Sequence, residues 1–479
     1  MTSKKFLLLA LLLWQSSCLW AQRSLSLNEA ISIAQAQSIE AKLAENIREN
    51  RFFLYQTYLA NYRPQLSFLA GLPTYSRSYL DVRQPDGEIK FIPVRQNNSY
   101  LGFSLTQNIP LTGGRVSFNT DFTRFDDFSD NLRAYNATPL NVRLDQPLFG
   151  FNAFKWERKI EPLKLQESQK DYKFRMEEIA IQTIRLFFEV IDAQQDLRIA
   201  EANLSNNSLI KEIEEKRILL GTTSREKILQ IELQILRASQ AQKKAAADLR
   251  TGLLNLKVQL GLQEEDALNL LTPDQLPIQS MDEETAFREA KENRPEYISF
   301  ERRRLEAERD LNEARTSRNQ VNLTASLGFN GAGAQLNEAF NPLLNQQRFS
   351  IGVNVPIMDW GRNKAQRGIA EANQKVVEYT IAQEELNLRK EISTIINNLD
   401  LLRASISIGE RTDAIGAERY QLALEQYRLG KLSVTDLNVA LVEKDEARRT
   451  YFAALRSFWE AYFALRKLTL YDLSTGSKL

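Results

Sequence analysis

Residues 321–330 read Val321-Asn322-Leu323-Thr324-Ala325-Ser326-Leu327-Gly328-Phe329-Asn330, with every odd position apolar and every even position polar or glycine. Successive side chains of a strand point to opposite sides, so this stretch is a strand with one apolar and one polar face. The same alternation marks Leu66, Phe68 and Ala70; Leu101, Phe103 and Leu105; Val116, Phe118 and Phe122; Leu140, Val142 and Leu144; and Phe349, Ile351, Val353 and Val355. Six strands of about nine to eleven residues are predicted, the length and pattern of a transmembrane barrel strand with apolar side chains toward lipid and polar ones toward a lumen. A soluble antiparallel sheet with one wet face carries the same period.

Outside these stretches the period changes to that of helices. Met176, Ile179, Thr183, Leu186, Val190, Ala193, Leu197, Ala200 and Leu204 keep a 3-4 spacing, which is a coiled-coil seam, and Leu388, Ile392, Ile395, Leu399, Leu402 and Ile406 repeat it. Proline or glycine marks the transitions, at Pro64, Pro110, Gly113-Gly114, Pro147, Gly221, Pro356, Gly361 and Gly430.

Composition narrows the chemistry. The 479 residues contain no histidine and one cysteine, with 62 Lys+Arg against 61 Asp+Glu. Histidine triads, His/Cys metal sites and a disulfide framework are excluded, and no cofactor or metal is expected. The charges are dispersed along helical faces, so no nucleic-acid partner is expected. A hydrolase built only on paired carboxylates remains formally open, but the acids stand at helical surface spacing.

Lys4-Lys5, the apolar run Phe6 to Trp14 and the small residue Ala21 before Gln22 read as an export signal over residues 1–21. Cleavage before Gln22 would leave no cysteine and move the formal charge from +1 to −1. The rival reading, a lipoprotein cut before Cys18, meets Gln15 where an aliphatic residue is wanted. No later stretch reaches about 18 consecutive apolar residues, so any membrane passage is by strands.

The two halves repeat one another. Residues 28–34 parallel 284–290 at an offset of 256, while Gln146-Pro147-Leu148-Phe149 parallels Val355-Pro356-Ile357-Met358, and Leu220 to Ser224 parallels Leu429 to Ser433, both at an offset of 209. Pro147 to Gly221 and Pro356 to Gly430 each span 74 residues, so each half launches a helix of roughly 110 Å from a strand end and stops it at a glycine turn. The return runs over Ser224 to Leu262 and Asp282 to Arg315 in the first half; in the second it is Ser433 to Leu468, complemented by an N-terminal helix over about Leu27 to Leu59. The larger first offset places an insertion, chiefly Ile109 to Leu144, that carries two of the six strands.

This order resembles the TolC-like outer membrane efflux proteins over essentially the whole mature chain. The carriers are the duplicated helix, strands, long helix, tip and returning helix, and the Val355-Pro356-Ile357-Met358-Asp359-Trp360-Gly361-Arg362 passage from strand into helix. The resemblance implies a mainly α protein with transmembrane β structure: a homotrimer, four strands per protomer in one 12-stranded barrel, and a periplasmic helical tunnel. It implies a Gram-negative outer membrane location, lipid contact, and a passive role in a tripartite efflux or type I secretion system, with a periplasmic adaptor (membrane fusion protein) and an inner-membrane RND or ABC pump. An exported coiled-coil scaffold with a soluble β-domain is the alternative. The expected domains are the N-terminal helix over 22–63, first-half strands over 64–147, a helical hairpin over 148–262, a linker over 263–281, a returning helix over 282–319, strands over 320–356, a hairpin over 357–468 and a tail over 469–479. The segments from Pro73 to Ser99 and from Asp126 to Pro139 read as long polar connections, and Pro110 to Gly114 as a short turn. The inserted hairpin either enters the sheet, giving eighteen strands in a trimer, or packs outside a four-strand contribution, which is the reading adopted.

On the residues matching the family's pattern, the adaptor-docking tips are Leu220, Gly221, Thr222, Thr223 and Ser224, and Leu429, Gly430, Lys431, Leu432 and Ser433. Gly221 and Gly430 suit reversal of a long helix because glycine tolerates positive φ. Asp436 matches an acid facing the tunnel constriction, where three copies would form a carboxylate ring; Ser433 to Asp436 also reads as a capping box. A second family acid is Val439 here. Lys227 is the first-repeat counterpart of Asp436, and a Lys227–Asp436 contact would lock a closed state. Pro147, Pro356, Asp359, Trp360, Gly361 and Arg362 mark the strand-to-helix transitions. Trp360 and Phe151 would serve as interface aromatics, with Asp359 and Arg362 a surface pair or helix start.

Overall fold

The computed structural model describes residues 23–263, 268–273, 276–277, 281–316 and 320–479; the signal segment and its two cleavage readings lie outside the described residues. Two compact units form, one from Glu49–Glu167 with Ile298–Glu384, the other from the residues before, between and after these.

The helices reproduce the repeat residue by residue. Helices α1 (Leu27–Gln37) and α2 (Ile39–Ala60) return as α5 (Glu283–Asn293) and α6 (Pro295–Thr316), and α3 (Ala153–Leu219) with α4 (Arg225–Leu260) return as α7 (Arg362–Arg428) with α8 (Val434–Thr469). The caps repeat too. Ser26 forms a capping box with Glu29, and Asp282 accepts the Thr285 N–H, each holding an otherwise unpaired first-turn donor. Each single helix expected at these places is in fact two. Arg294 is extended, with ψ 142°, because Pro295 excludes the helical conformation of its predecessor. Ser38, its counterpart, is extended with ψ 153° and caps the next helix through Ala41 N–H, with no proline to announce the break.

In the helical unit the seam is correct but too narrow. Ile179, Thr183 and Val190 are buried as predicted, and Ile184, Phe187, Phe188 and Ile191 are buried beside them. This wider stripe packs with Leu388, Ile392, Phe452, Phe458 and Phe463 into the main core, a globular apolar face of about 100° rather than a two-position seam. Ion pairs run beside it, from Asp192 to Arg456 at 2.7 Å, Asp196 to Arg449 at 2.8 Å and Asp413 to Arg448 at 2.6 Å. In the linker, β7 (Leu268–Leu270) pairs in parallel with β1 (Arg23–Leu25). The tail folds as the hairpin β10 (Tyr471–Asp472) and β11 (Ser477–Lys478).

The second unit carries an antiparallel sheet in the order β2 (Gln65–Gly71), β4 (Ile89–Ile109), β5 (Gly114–Asp127), β6 (Leu132–Pro147), β8 (Gln320–Gly333), β9 (Leu344–Asn354), with β3 (Tyr75–Arg83) on the upper half of β4. All six predicted strands are present, and three expectations change. The inserted hairpin does not pack outside: β5 is hydrogen-bonded to β4 over fourteen residue pairs and to β6 on its other side. The first polar connection is a hairpin, β3 paired with Ile89 to Asn97 across the Pro85-Asp86-Gly87 turn, where Gly87 has φ 92°. The second shrinks to a tight turn between Asp127 and Leu132. Strands therefore reach 21 residues in β4. The turn after β4 is short as predicted, with Gly113 N–H donating to Ile109 O.

Candidate functional site

The sheet register sorts the side chains into two faces. Cross-strand partners share a face, and they run Phe68↔Phe103 and Leu66↔Leu105 from β2 to β4, then Leu105↔Phe118, Phe118↔Val142, Val142↔Leu327 and Leu323↔Ile351 onward to β9. Every apolar set read from the sequence thus falls on one face. Its members are exposed or half-buried, most open on the outer strands: Leu66 is 70% and Phe349 70% accessible. The other face is polar and internally bonded, with Ser104 donating to Asn119 Oδ1 at 2.6 Å, Arg143 to Asp145 at 2.8 Å and Thr324 to the same carboxylate at 3.2 Å. At the two ends, β2 and β9 are each paired on one side only. An exposed apolar face with open edges is what a water-soluble sheet avoids.

The strand-to-helix passages repeat this exposure. Pro147 ends β6, and Pro356 follows β9 by two residues. Trp360 takes a positive φ of 53° and is 91% accessible, beside exposed Ile357 and Met358. Gly361, with φ 88°, turns the chain into α7. Asp359 makes the helix start: its carboxylate accepts the N–H of Gly361 at 3.1 Å and of Asn363 at 3.2 Å, and its carbonyl that of Arg362. In the first half Phe149, not Phe151, is the exposed aromatic, with exposed Leu148 beside it in sequence; Phe151 is half-buried.

Both tips lie in the helical unit and are built alike. Gly221 (φ 70°) and Gly430 (φ 77°) reverse the chain in the left-handed region that glycine takes without cost. Ser224 and Ser433 cap the outgoing helices by accepting the N–H of Lys227 and Asp436. Leu219, Leu220 and Leu429 project into solvent, Leu219 at 86%, whereas Leu432 packs on the core beneath the tips. Thr222 and Thr223 are engaged inward, to Arg217 O and Glu214 Oε2.

Asp436 also accepts the Ser433 hydroxyl at 2.6 Å, so its helix-start role is present. Within the protomer no ion pair joins Lys227 to Asp436; the two occupy matching third positions of different helices. What joins the tips is a cluster the sequence reading missed. Glu214, almost fully buried, accepts from the Tyr427 hydroxyl at 2.7 Å, Arg217 Nη1 at 2.6 Å and Thr223 Oγ1 at 2.5 Å. Arg217 reaches across to Tyr427 O at 2.6 Å, with its guanidinium 5.0 Å from the Tyr427 ring centroid. Burial works against ionisation of Glu214, and the Thr223, Tyr427 and Arg217 donors outweigh it, leaving the carboxyl below its ordinary pKa. Burial and the Glu214 carboxylate push the Tyr427 phenol up. The available signal was the Tyr420, Leu424, Tyr427 stripe running to the tip.

Residues 286–469 match the family model of outer membrane efflux proteins. Among curated proteins no sequence matches the chain. The structure is similar to CusC at 18% identity, with a TM-score of 0.65 over 92% of this chain and 91% of that one. It is similar to the CmeC outer membrane channel of Campylobacter jejuni at 15% identity, with a TM-score of 0.68 over 94% and 86%. The MtrE outer membrane channel of Neisseria gonorrhoeae, in its open state, is 16% identical, with a TM-score of 0.63 over 92% and 88%. The chain has the fold of the outer membrane efflux channels, and its second half carries their family pattern.

Proposed function

We propose that the protein is a homotrimeric efflux channel of a Gram-negative outer membrane, conducting passively from a periplasmic adaptor and an inner-membrane RND or ABC pump to the exterior. The observation that carries this reading is the register: six strands from both halves of the chain place all their apolar sets on one exposed face and their polar sets on the other. In water that face costs free energy; against lipid it is the correct solvent match. Backbone groups along β2 and β9 cannot stay unpaired in a bilayer, so the sheet closes. The six strands alternate in direction, which makes β9 of one protomer antiparallel to β2 of the next. Three copies then form an eighteen-stranded barrel, about half as wide again as twelve strands would give. The helical tips are the adaptor surface, through the exposed Leu219, Leu220, Leu429 and Lys431, and Asp436 is proposed to line the constricted end. Energy for opening comes from the adaptor's preference for the open state.

The test is extraction of the mature protein from outer membranes in mild detergent, with mass by light scattering after subtraction of detergent. A trimer that requires detergent is expected, and single cysteines placed along β2 and β9 should link neighbouring protomers. A soluble monomer or dimer in the periplasmic fraction refutes the channel and leaves an exported scaffold.

A further inference from the structure

The apolar face is interrupted toward the hairpin end of the sheet. The last continuous apolar row before the interruption is Leu101, Phe122 and Ala137. On the same face the following rows are Ser99, Arg124 and Tyr135; then Tyr75, Asn97, Asp126 and Arg133; then Arg77 and Arg95. Two residues advance a strand by about 7 Å, so these arginines stand about 7, 14 and 20 Å beyond the Phe122 row along the strands. Further out, the same face adds Tyr79 with Pro93, Asp81 with Phe91 and Arg83 with Ile89, so the arginine rows lie between the main apolar face and a small apolar group at the hairpin end. Five arginines against two aspartates make this the basic side of the hairpins. The opposite face of the same rows carries Lys90 and Asp127, which cancel.

The arginines are under-compensated from within the protein. Arg124 and Arg133 share one carboxylate, Asp126, at 2.9 and 2.8 Å. Arg77 and Arg95 are direct cross-strand partners, a like-charge placement that destabilises a ladder. Among the described residues neither has an acidic partner; the Arg95 guanidinium reaches the Phe128 carbonyl, at 3.5 Å. Their surroundings are tyrosines, side chains suited to a boundary between hydrocarbon and headgroups.

We propose that Arg77, Arg95, Arg124 and Arg133 form a lipid-binding belt that takes phosphate-bearing headgroups of the outer leaflet on the outside of the sheet. The guanidinium fork matches phosphate oxygens in two parallel hydrogen bonds. An anion between Arg77 and Arg95 converts their repulsion into a bridge. Continuity with the apolar face selects a lipid as the source of the phosphate, since the acyl chains of the same molecule then lie along the Leu101, Phe103 and Phe68 side chains. The belt rests on the membrane reading of the sheet.

The test compares flotation and thermal dissociation of the purified full-length trimer with phosphatidylcholine vesicles, with the same vesicles containing lipopolysaccharide, and with inorganic phosphate in place of lipopolysaccharide. R77Q/R95Q is the informative variant, because removing Arg124 or Arg133 would strand the buried Asp126. Lipopolysaccharide should stabilise the wild type, and loss of two interfacial arginines should weaken that binding by about 30-fold. R77K/R95K should retain part of it, and K90Q on the opposite face all of it. Equal behaviour of the wild type and R77Q/R95Q, or equal effects of the two vesicle types, overturns the belt alone. Stabilisation reproduced by inorganic phosphate also overturns it, leaving a bare anion site. Failure to float with phosphatidylcholine refutes the channel reading itself and takes the belt with it.

Discussion

Tyr427→Phe removes one oxygen from the cluster that joins the two tips and leaves the ring, which is 1% accessible, in place. The lost bond is a phenol donating to a buried carboxylate at 2.7 Å, and hydrogen bonds to charged groups contribute about 1.5–3 kcal/mol. Glu214 keeps Arg217 and Thr223 as donors, which places the loss near the low end, about 1.5 kcal/mol, or roughly tenfold in the equilibrium for opening the tips. Hydrogen exchange read by mass spectrometry checks this on two peptides, one over residues 214–227 and one over 424–436. Because Glu214 and Tyr427 stand on different helical hairpins, protection should fall in both peptides although only one is mutated, and it should stay constant in the sheet. Exchange unchanged in the 214–227 peptide would refute the cross-tip coupling. The same cluster gives a pH dependence. The folded pKa of Glu214 lies below its unfolded value, so its contribution is present above the ordinary carboxylate range and is lost as pH falls through the folded value; acidification should loosen both tips.

Glu177 behaves in the opposite sense. Burial raises its pKa to about 7 against the pull of Arg466 at 3.0 Å, so its contribution to folding is fully present below its unfolded pKa, is lost progressively as pH rises above that value, and is gone once pH passes about 7. Stability should drop between pH 4 and 8 by about 3 kcal/mol, and Glu177→Gln should flatten the profile. Gly430→Ala should cost about 1–2 kcal/mol in denaturant titration, for purely conformational reasons, since the nearest atom to the new Cβ, Arg217 Nη2, is 3.8 Å away. Phe188→Ala opens a cavity at a fully buried site of the main core and should cost about 3–5 kcal/mol in the same titration; a loss below about 1 kcal/mol would contradict the packing described.

Much of the architecture was legible because it is written in local periodicity. Alternation over 321–330 fixes a strand whatever it pairs with, and the helices of the two halves stand to the residue at the offsets of 256 and 209, although the expected single helices divide in two. Pro295 likewise announces the break at Arg294. The break at Ser38 carries no such mark and shows only through the repeat. The hairpin of β3 was readable in principle from Pro85-Asp86-Gly87, but arginines and an aspartate interrupt the apolar alternation of Tyr75 to Arg83, so that segment read as a polar connection.

The sequence by itself determined the two periods, the duplication, the glycine-reversed tips and the apolar sets of six strands, since each depends on neighbours along the chain. Tertiary structure alone decided that the inserted hairpin enters the sheet, that β3 lengthens it, and that all six apolar sets share one face, because strand order and register are set by hydrogen bonds between segments far apart in sequence. The tips divide in the same way. Gly221 and Gly430 are local requirements of a reversing backbone, whereas Glu214 and Tyr427, 213 residues apart, acquire a joint role only when two hairpins pack and bury one carboxylate among three donors.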